Sequence, residues 1–290
     1  MSLPPDATLR PAVFTALLLR GAVALVTCLF LVLPTRTPAA EPAQIEAFLK
    51  VTGFDVALQS IAQSAGEAPQ MLGAEVGDFG LEWERLAEDV FDPVIMHDMA
   101  LEILQQTLST DALFHAAEFY ASDLGQRLVA VENAAQLDDG TAAREEGDRL
   151  VAQMAARDDP RIGIFKEMNS AIGGTESAIR AVQEIQVRFL MAANAAGIVE
   201  LQVDVEGLRA LLREQEGEMH RAMSAANLAN SAVTYQGFSV EDMRAYVAAL
   251  KHPLMKEVYE LLNAVQFEIQ ANRFEELAHR MRDLQPVQDL

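Results

Sequence analysis

The stretch TESAIRAVQEIQVRFLMAA, residues 175–193, decides the fold class. Ile179, Val182, Ile185, Phe189 and Ala193 recur at steps of three and four, the stripe of a helix with one buried face. The same period continues outward. Leu201, Val205, Leu208, Leu212, Met219, Ala222, Ala226 and Ala229 carry it over a longer run, whose alanines admit a close neighbour. Leu254, Val258, Leu261, Val265 and Ile269 repeat it towards the C-terminus. Alternating apolar–polar runs bounded by turns, the mark of strands, are absent. The fold predicted is all-α, a helical bundle.

Punctuation agrees with this reading. Ser109, Asp158 or Asp159 before Pro160, Thr175 and Ser239 stand where an N-cap belongs, because their oxygens can accept from unpaired helix amides. Ser239 with Asp242 approximates a capping box. Gly173-Gly174 separates two helices. Gly66 to Gly80 reads as a loop, and Gln136 to Asp148 is polar enough to hold a turn.

The first 39 residues stand apart. Arg10 and Arg20 precede an apolar run from Gly21 to Leu33, closed by Pro34, and Thr37-Pro38-Ala39 offers small residues for cleavage. A positive flank, a short apolar stretch and a small-residue site define a secretory signal peptide. The alternative is an N-terminal inner-membrane anchor. It would have to bury Arg20 to reach spanning length, at about 2.5–3.5 kcal/mol. The chain is therefore expected to be exported. Cys28, the only cysteine, lies in the apolar run, so the exported chain would hold no disulfide.

With 22 basic and 43 acidic residues the net charge is −21, and 51% of residues are hydrophobic. Such a chain folds but offers no basic groove for nucleic acid phosphates. It is equally unsuited to docking on an anionic membrane surface.

Residues 109–136 and 239–266 align without a gap. Identities fall at Ser109/Ser239, Leu124/Leu254, Asn133/Asn263, Ala134/Ala264 and Gln136/Gln266, and apolar positions correspond, as at Leu113/Met243 and Leu128/Val258. Each copy opens on a serine cap, runs about three turns, breaks at Ser122-Asp123 or His252-Pro253, and restarts. Proline suits the first position of a restarting helix. The bundle is thus expected to consist of two pseudo-repeated helical-hairpin halves. The organisation predicted is a signal peptide at 1–39, short helices and a loop at 40–90, and a first hairpin at 91–157. Connecting long helices follow at 158–238, then a degenerate second hairpin at 239–285.

The first hairpin contains Glu118-Phe119-Tyr120-Ala121-Ser122-Asp123-Leu124-Gly125-Gln126-Arg127-Leu128, which resembles the signature of the domain-of-unknown-function family 2059 (DUF2059). That family shows an aromatic pair, a small residue, Ser-Pro, then Leu-Gly and a basic residue; Asp123 here stands at the proline. The resemblance covers Val94 to Gln136, and residues 239–266 only as a degenerate copy. It implies an exported protein of the Gram-negative envelope, with the periplasm as its location, and carries no activity to transfer. Physically, the signature residues Phe119, Tyr120, Ser122, Leu124, Gly125 and Leu128 read as structural. The aromatics close one helix on the next, Ser122 and Asp123 cap, and Gly125 permits close approach.

Catalytic and metal patterns are thin. Glu276-x-x-His279 is half of a di-iron motif whose second half is missing. Met96-His97-Asp98-Met99 and Met219-His220 with Met223 carry the ligand types of Cu(I). On a helix, however, His97 points roughly 160° from Met99. Asp138-Asp139 and Glu145-Glu146 read as solvated pairs. No catalytic residue, cofactor or metal is assigned. The function expected is a non-enzymatic module that contacts another envelope protein. The alternative is a carrier of a small apolar or lipid-like ligand between the halves, and a hydrolase ranks third.

Overall fold

The helical stripes of the sequence become α-helices in a computed structural model, which describes residues 41–65, 80–137 and 141–282. The expected signal peptide, most of the loop at 66–80 and the Asp138-Asp139 pair lie outside the described residues. The helices are α1 (Pro42–Thr52), α2 (Phe54–Ser64), α3 (Gly80–Val90), α4 (Pro93–Thr107), α5 (Thr110–Ala121), α6 (Asp123–Gln136) and α7 (Thr141–Ala156). There follow α8 (Arg161–Ala171), α9 (Gly174–Ala195), α10 (Val205–Glu214), α11 (Glu216–Thr234), α12 (Val240–Leu250) and α13 (Pro253–Met281). The all-α prediction holds: the regular elements are helices throughout. None of those described is long and apolar enough to cross a membrane.

The serine caps form as spaced. Ser109 Oγ accepts from the Ala112 amide and Ser239 Oγ from the Asp242 amide, whose carboxylate completes a capping box. Two other expectations need correction. Thr175 does not cap α9. Gly173, at a φ of 121°, takes that position, and buried Thr175 instead accepts a hydrogen bond from Asn169 Nδ2 at 3.1 Å. The apolar run from Leu201 is not one long helix. Leu201 precedes α10, held by Asn194 Oδ1, and the chain breaks again at Gln215 between α10 and α11. The polar stretch at 136–148 does hold a break, with α6 ending at Gln136 and α7 starting at Thr141.

The described residues all belong to one compact unit, so the hairpins and their connecting helices are segments of a single body. Its axis is α13. At 29 residues this helix is about 43 Å long, and it packs against α3, α4, α5, α9 and α12. Because neighbours surround it, Met255, Val258, Val265, Ile269, Phe274 and Leu277 are all buried on different sides. The Phe274 ring meets Phe91 and Phe189 edge-on, with centroids at 5.0 and 5.6 Å. Arg188 of α9 clamps the same helix by pairing with Glu275 at 2.7 Å and Glu268 at 3.2 Å.

Close backbone approach ties α7 to α11. A Cβ built on buried Gly147 would lie 2.5 Å from the carbonyl oxygen of Ala229, one of the alanines whose spacing predicts a near neighbour. In an isolated helix, Gly147→Ala should add about 1 kcal/mol from propensity. Here overpacking should reverse the sign and cost about 1–3 kcal/mol, read as a lower urea midpoint at unchanged slope. A rise in the midpoint would contradict the close approach.

Candidate functional site

The hairpin corner sets up the site. Ser122 Oγ accepts from the Gly125 amide at 3.1 Å. A side chain at Gly125 would collide with the Phe119 carbonyl, at 2.3 Å. The tight corner folds α6 back on α5. Leu128 is fully buried and Leu124 partly so. Phe119 lies parallel to the Tyr246 ring at a centroid distance of 5.9 Å. Tyr120 does more than close the hairpin. Its hydroxyl leaves it and meets that of Tyr259 on α13 at 2.5 Å.

Around this contact all four tyrosines of the chain converge on one carboxyl group. Tyr235 and Tyr246 donate to Glu132 Oε1 at 2.7 and 2.9 Å. The hydroxyls of Tyr246 and Tyr259 lie 3.3 Å apart. Proton counting fixes the direction of the chain, because each phenol has one proton to give. The Tyr246 proton is committed to Glu132, so Tyr259 donates to Tyr246, and Tyr120 must then donate to Tyr259. The relay runs Tyr120 to Tyr259 to Tyr246 to Glu132, a cooperative array of aligned hydroxyls.

Burial governs the electrostatics. Desolvation raises the Glu132 pKa above its ordinary 4.5, and the two phenol hydrogen bonds oppose the rise. Desolvation also pushes Tyr120, Tyr235 and Tyr246 well above 10 and Tyr259 up to about 12. The phenols therefore remain protonated donors at neutral pH. Glu132 Oε2 takes no hydrogen bond from any described residue. It is not sealed in either: the buried side-chain atoms without a partner are Asn133 Oδ1 and Gln186 Oε1.

The tyrosines and Glu132 line a cavity of about 430 Å³, bounded also by Thr52, Gly53, Asn230 and Ser231. A second cavity of about 370 Å³ shares Asn169, Ile172, Asn227, Asn263 and Gln266 with the first. Beyond that shared wall it is lined by Ala178, Ala181, Val182, Ile185, Met223 and Phe267. Val182, the one exposed member of the α9 stripe, faces this second space. The first cavity holds the phenols and Glu132; the second, which also has Ser177 and Gln270 in its lining, holds no charged group and is apolar on its Val182 and Phe267 side.

The other sequence candidates are scattered. Met96 lies in the core while His97 bonds Asp55 at 2.8 Å, so the two point to different surroundings. His220 meets Glu176 at 3.1 Å. Glu146 pairs with Arg149 on α7, and His279 is exposed. Among the described residues no group of three or more His, Cys, Asp or Glu side chains could hold a metal ion. Glu132, Tyr235, Tyr246 and Tyr259 belong to no motif. Their one signal is scarcity, since a chain of 290 residues has only four tyrosines.

Fold and site together define an all-α protein with two adjoining, solvent-open cavities, one of them lined by a phenol-solvated carboxyl group. Residues 95–153 match the model of a family described as "Uncharacterized protein conserved in bacteria (DUF2059)". The match begins near the start of α4 and reaches into α7, beyond the Gln136 limit expected from the signature. It includes Tyr120 and Glu132 and leaves Tyr235, Tyr246 and Tyr259 outside. No curated protein and no solved structure matches the chain.

A half-buried carboxyl with a raised pKa has a definite pH signature. The folded chain binds its proton more tightly than the unfolded chain. That contribution is fully present below the ordinary 4.5 and is lost as pH rises through the folded value. Glu132→Gln keeps an acceptor for both phenols and removes the charge. The variant should therefore gain stability on wild type as pH rises towards neutrality, and the advantage should vanish in acid. Denaturation midpoints across that range test it; a pH-independent difference would contradict the shift.

Proposed function

We propose that this chain is an exported, non-enzymatic binding protein that holds a small amphipathic ligand between two related halves. The observation that carries the reading is the pairing of a phenolic, acidic cavity with an uncharged one, apolar on its Val182 and Phe267 side, across a shared wall. Each has the size of a small-molecule site. The adjoining characters call for a ligand with a polar head and an apolar body. Helical bundles place such sites between facing helices.

Several contacts support a duplicated scaffold. Thr110–Ala121 with Asp123–Gln136, and Val240–Leu250 with Pro253 onward, repeat the plan of serine cap, short helix, break and second helix. Asn133 and Asn263, equivalent in the alignment, each pack against a positive-φ glycine that ends a helix, Gly53 after α1 and Gly173 after α8. Ser109 donates to Glu257 at 2.8 Å, and Arg127, the counterpart of Glu257, pairs with Asp242 of the Ser239 capping box. That exchange is what a pseudo-two-fold arrangement requires. The hairpins differ in one respect: α13 continues past the point where α6 stops at Gln136.

Export rests on Arg10, Arg20 and the apolar run Gly21 to Leu33. A binding role without catalysis is supported by the cavity's own chemistry. Ser231, its serine, gives its proton to the Asn227 carbonyl at 2.8 Å, and no histidine is among the lining residues. A second reading, docking on another envelope protein, is favoured by the exposed Val94 and Ile95 on α4 and Phe114 on α5. Cross-linking in periplasmic extract tests it, with recovery of monomer alone as the contrary result.

For the ligand-binding reading, native mass spectrometry of the chain purified from cells should show a small-molecule adduct. Val182→Trp, which fills the second cavity, should abolish the adduct while leaving the helical circular dichroism unchanged. An adduct that survives the substitution, or none on wild type, would count against the reading.

A further inference from the structure

The hydrogen-bond inventory of the phenolic cavity specifies what can enter it. All four phenol protons are spent, three within the relay and one from Tyr235 to Glu132. The Asn169, Asn227 and Asn263 amides each give one proton, to Thr175, to Asn169 and to the Ile172 carbonyl, and keep a second. Amide donors remain on the wall, whereas at the phenolic end the open groups are acceptors, Glu132 Oε2 and the phenol lone pairs. No Lys, Arg or His is among the lining residues, which leaves Glu132 as the only charged group. An anionic head would meet like charge and no cation. A head that brings its own protons and a positive charge would satisfy the open oxygen, and the electron-rich rings around it favour a cation as well.

Resting on the ligand-binding reading above, we propose that the phenolic cavity takes the protonated amine of an amphiphilic ligand, with Glu132 Oε2 as its counter-ion and the apolar body towards Val182 and Phe267. Ion pairing and proton binding at Glu132 then compete. The titratable groups that face it, Tyr120 of α5, Tyr235 after α11, Tyr246 of α12 and Tyr259 of α13, all stay neutral. Affinity for the amine should therefore rise with pH as Glu132 ionises, and affinity for an uncharged analogue should not.

The test is calorimetric titration of the full chain with octylammonium, octanol and octyl sulfate, which share a tail and differ in the head. A hydrogen-bonded charge should favour octylammonium over octanol by about tenfold or more, with octyl sulfate weakest. In Glu132→Gln that preference should collapse while octanol binds as before, and the pH dependence should disappear with it. Equal or tighter binding of octanol or octyl sulfate to wild type would overturn the amine assignment and leave the ligand-binding reading intact. So would a preference that survives Glu132→Gln. Failure of all three probes to bind would overturn the reading beneath it.

Discussion

A carboxyl group withdrawn from water constrains this structure more than any other single feature. An ionised carboxylate in a low-dielectric site needs compensation by hydrogen bonds or a counter-charge. Here no basic side chain supplies it; phenols do. They come from α5, from the residue after α11, from α12 and from α13, so the needs of one atom, Glu132 Oε1, fix the relative placement of four distant segments. Phenol suits the task because its pKa rises on burial, as it does at all four positions, and it stays a donor where it is needed.

The constraint also accounts for the cavity. Tyrosine is too long to let the helices carrying it close completely once its hydroxyl is held at a shared point. The turns around it are held open by amides packed on glycines, Asn133 against Gly53 and Asn263 against Gly173. Elsewhere the same bundle closes to backbone contact, as at Gly147 and Ala229 or at Gly125 and Phe119. Space at the tyrosines is therefore local, set by side-chain length and polarity in an otherwise tightly packed α-helical body.

Much of the fold was legible because helices announce themselves through period and caps. The stripe of Ile179, Ile185, Phe189 and Ala193 is buried as spaced, and Ser109 and Ser239 cap as written. What misled was local and physical. Thr175 has the right side chain for a cap, but a glycine in a positive-φ conformation already occupied the boundary and left the threonine to the interior. Leu201 continues the apolar period, yet the preceding helix stops and Asn194 captures its amide. Val182 belongs to the stripe but faces a cavity, which periodicity cannot distinguish from core.

The site was nearly illegible for a different reason. Comparison of the two hairpins weighs positions that agree, whereas the chemistry sits where they disagree. At the same offset Glu132 faces Leu262, Tyr120 faces Leu250, Tyr246 faces Ala116 and Tyr259 faces Val129. The corresponding residues, Asn133 with Asn263 and Gln136 with Gln266, shape turns and walls. The carboxyl and Tyr120, Tyr246 and Tyr259 therefore stand at positions where the two aligned stretches, 109–136 and 239–266, differ. A second carboxyl at Leu262 would bring two negative charges to one desolvated space and raise both pKa values. The differences at these positions thus leave Glu132 as the one charged group among the described residues that line the cavity.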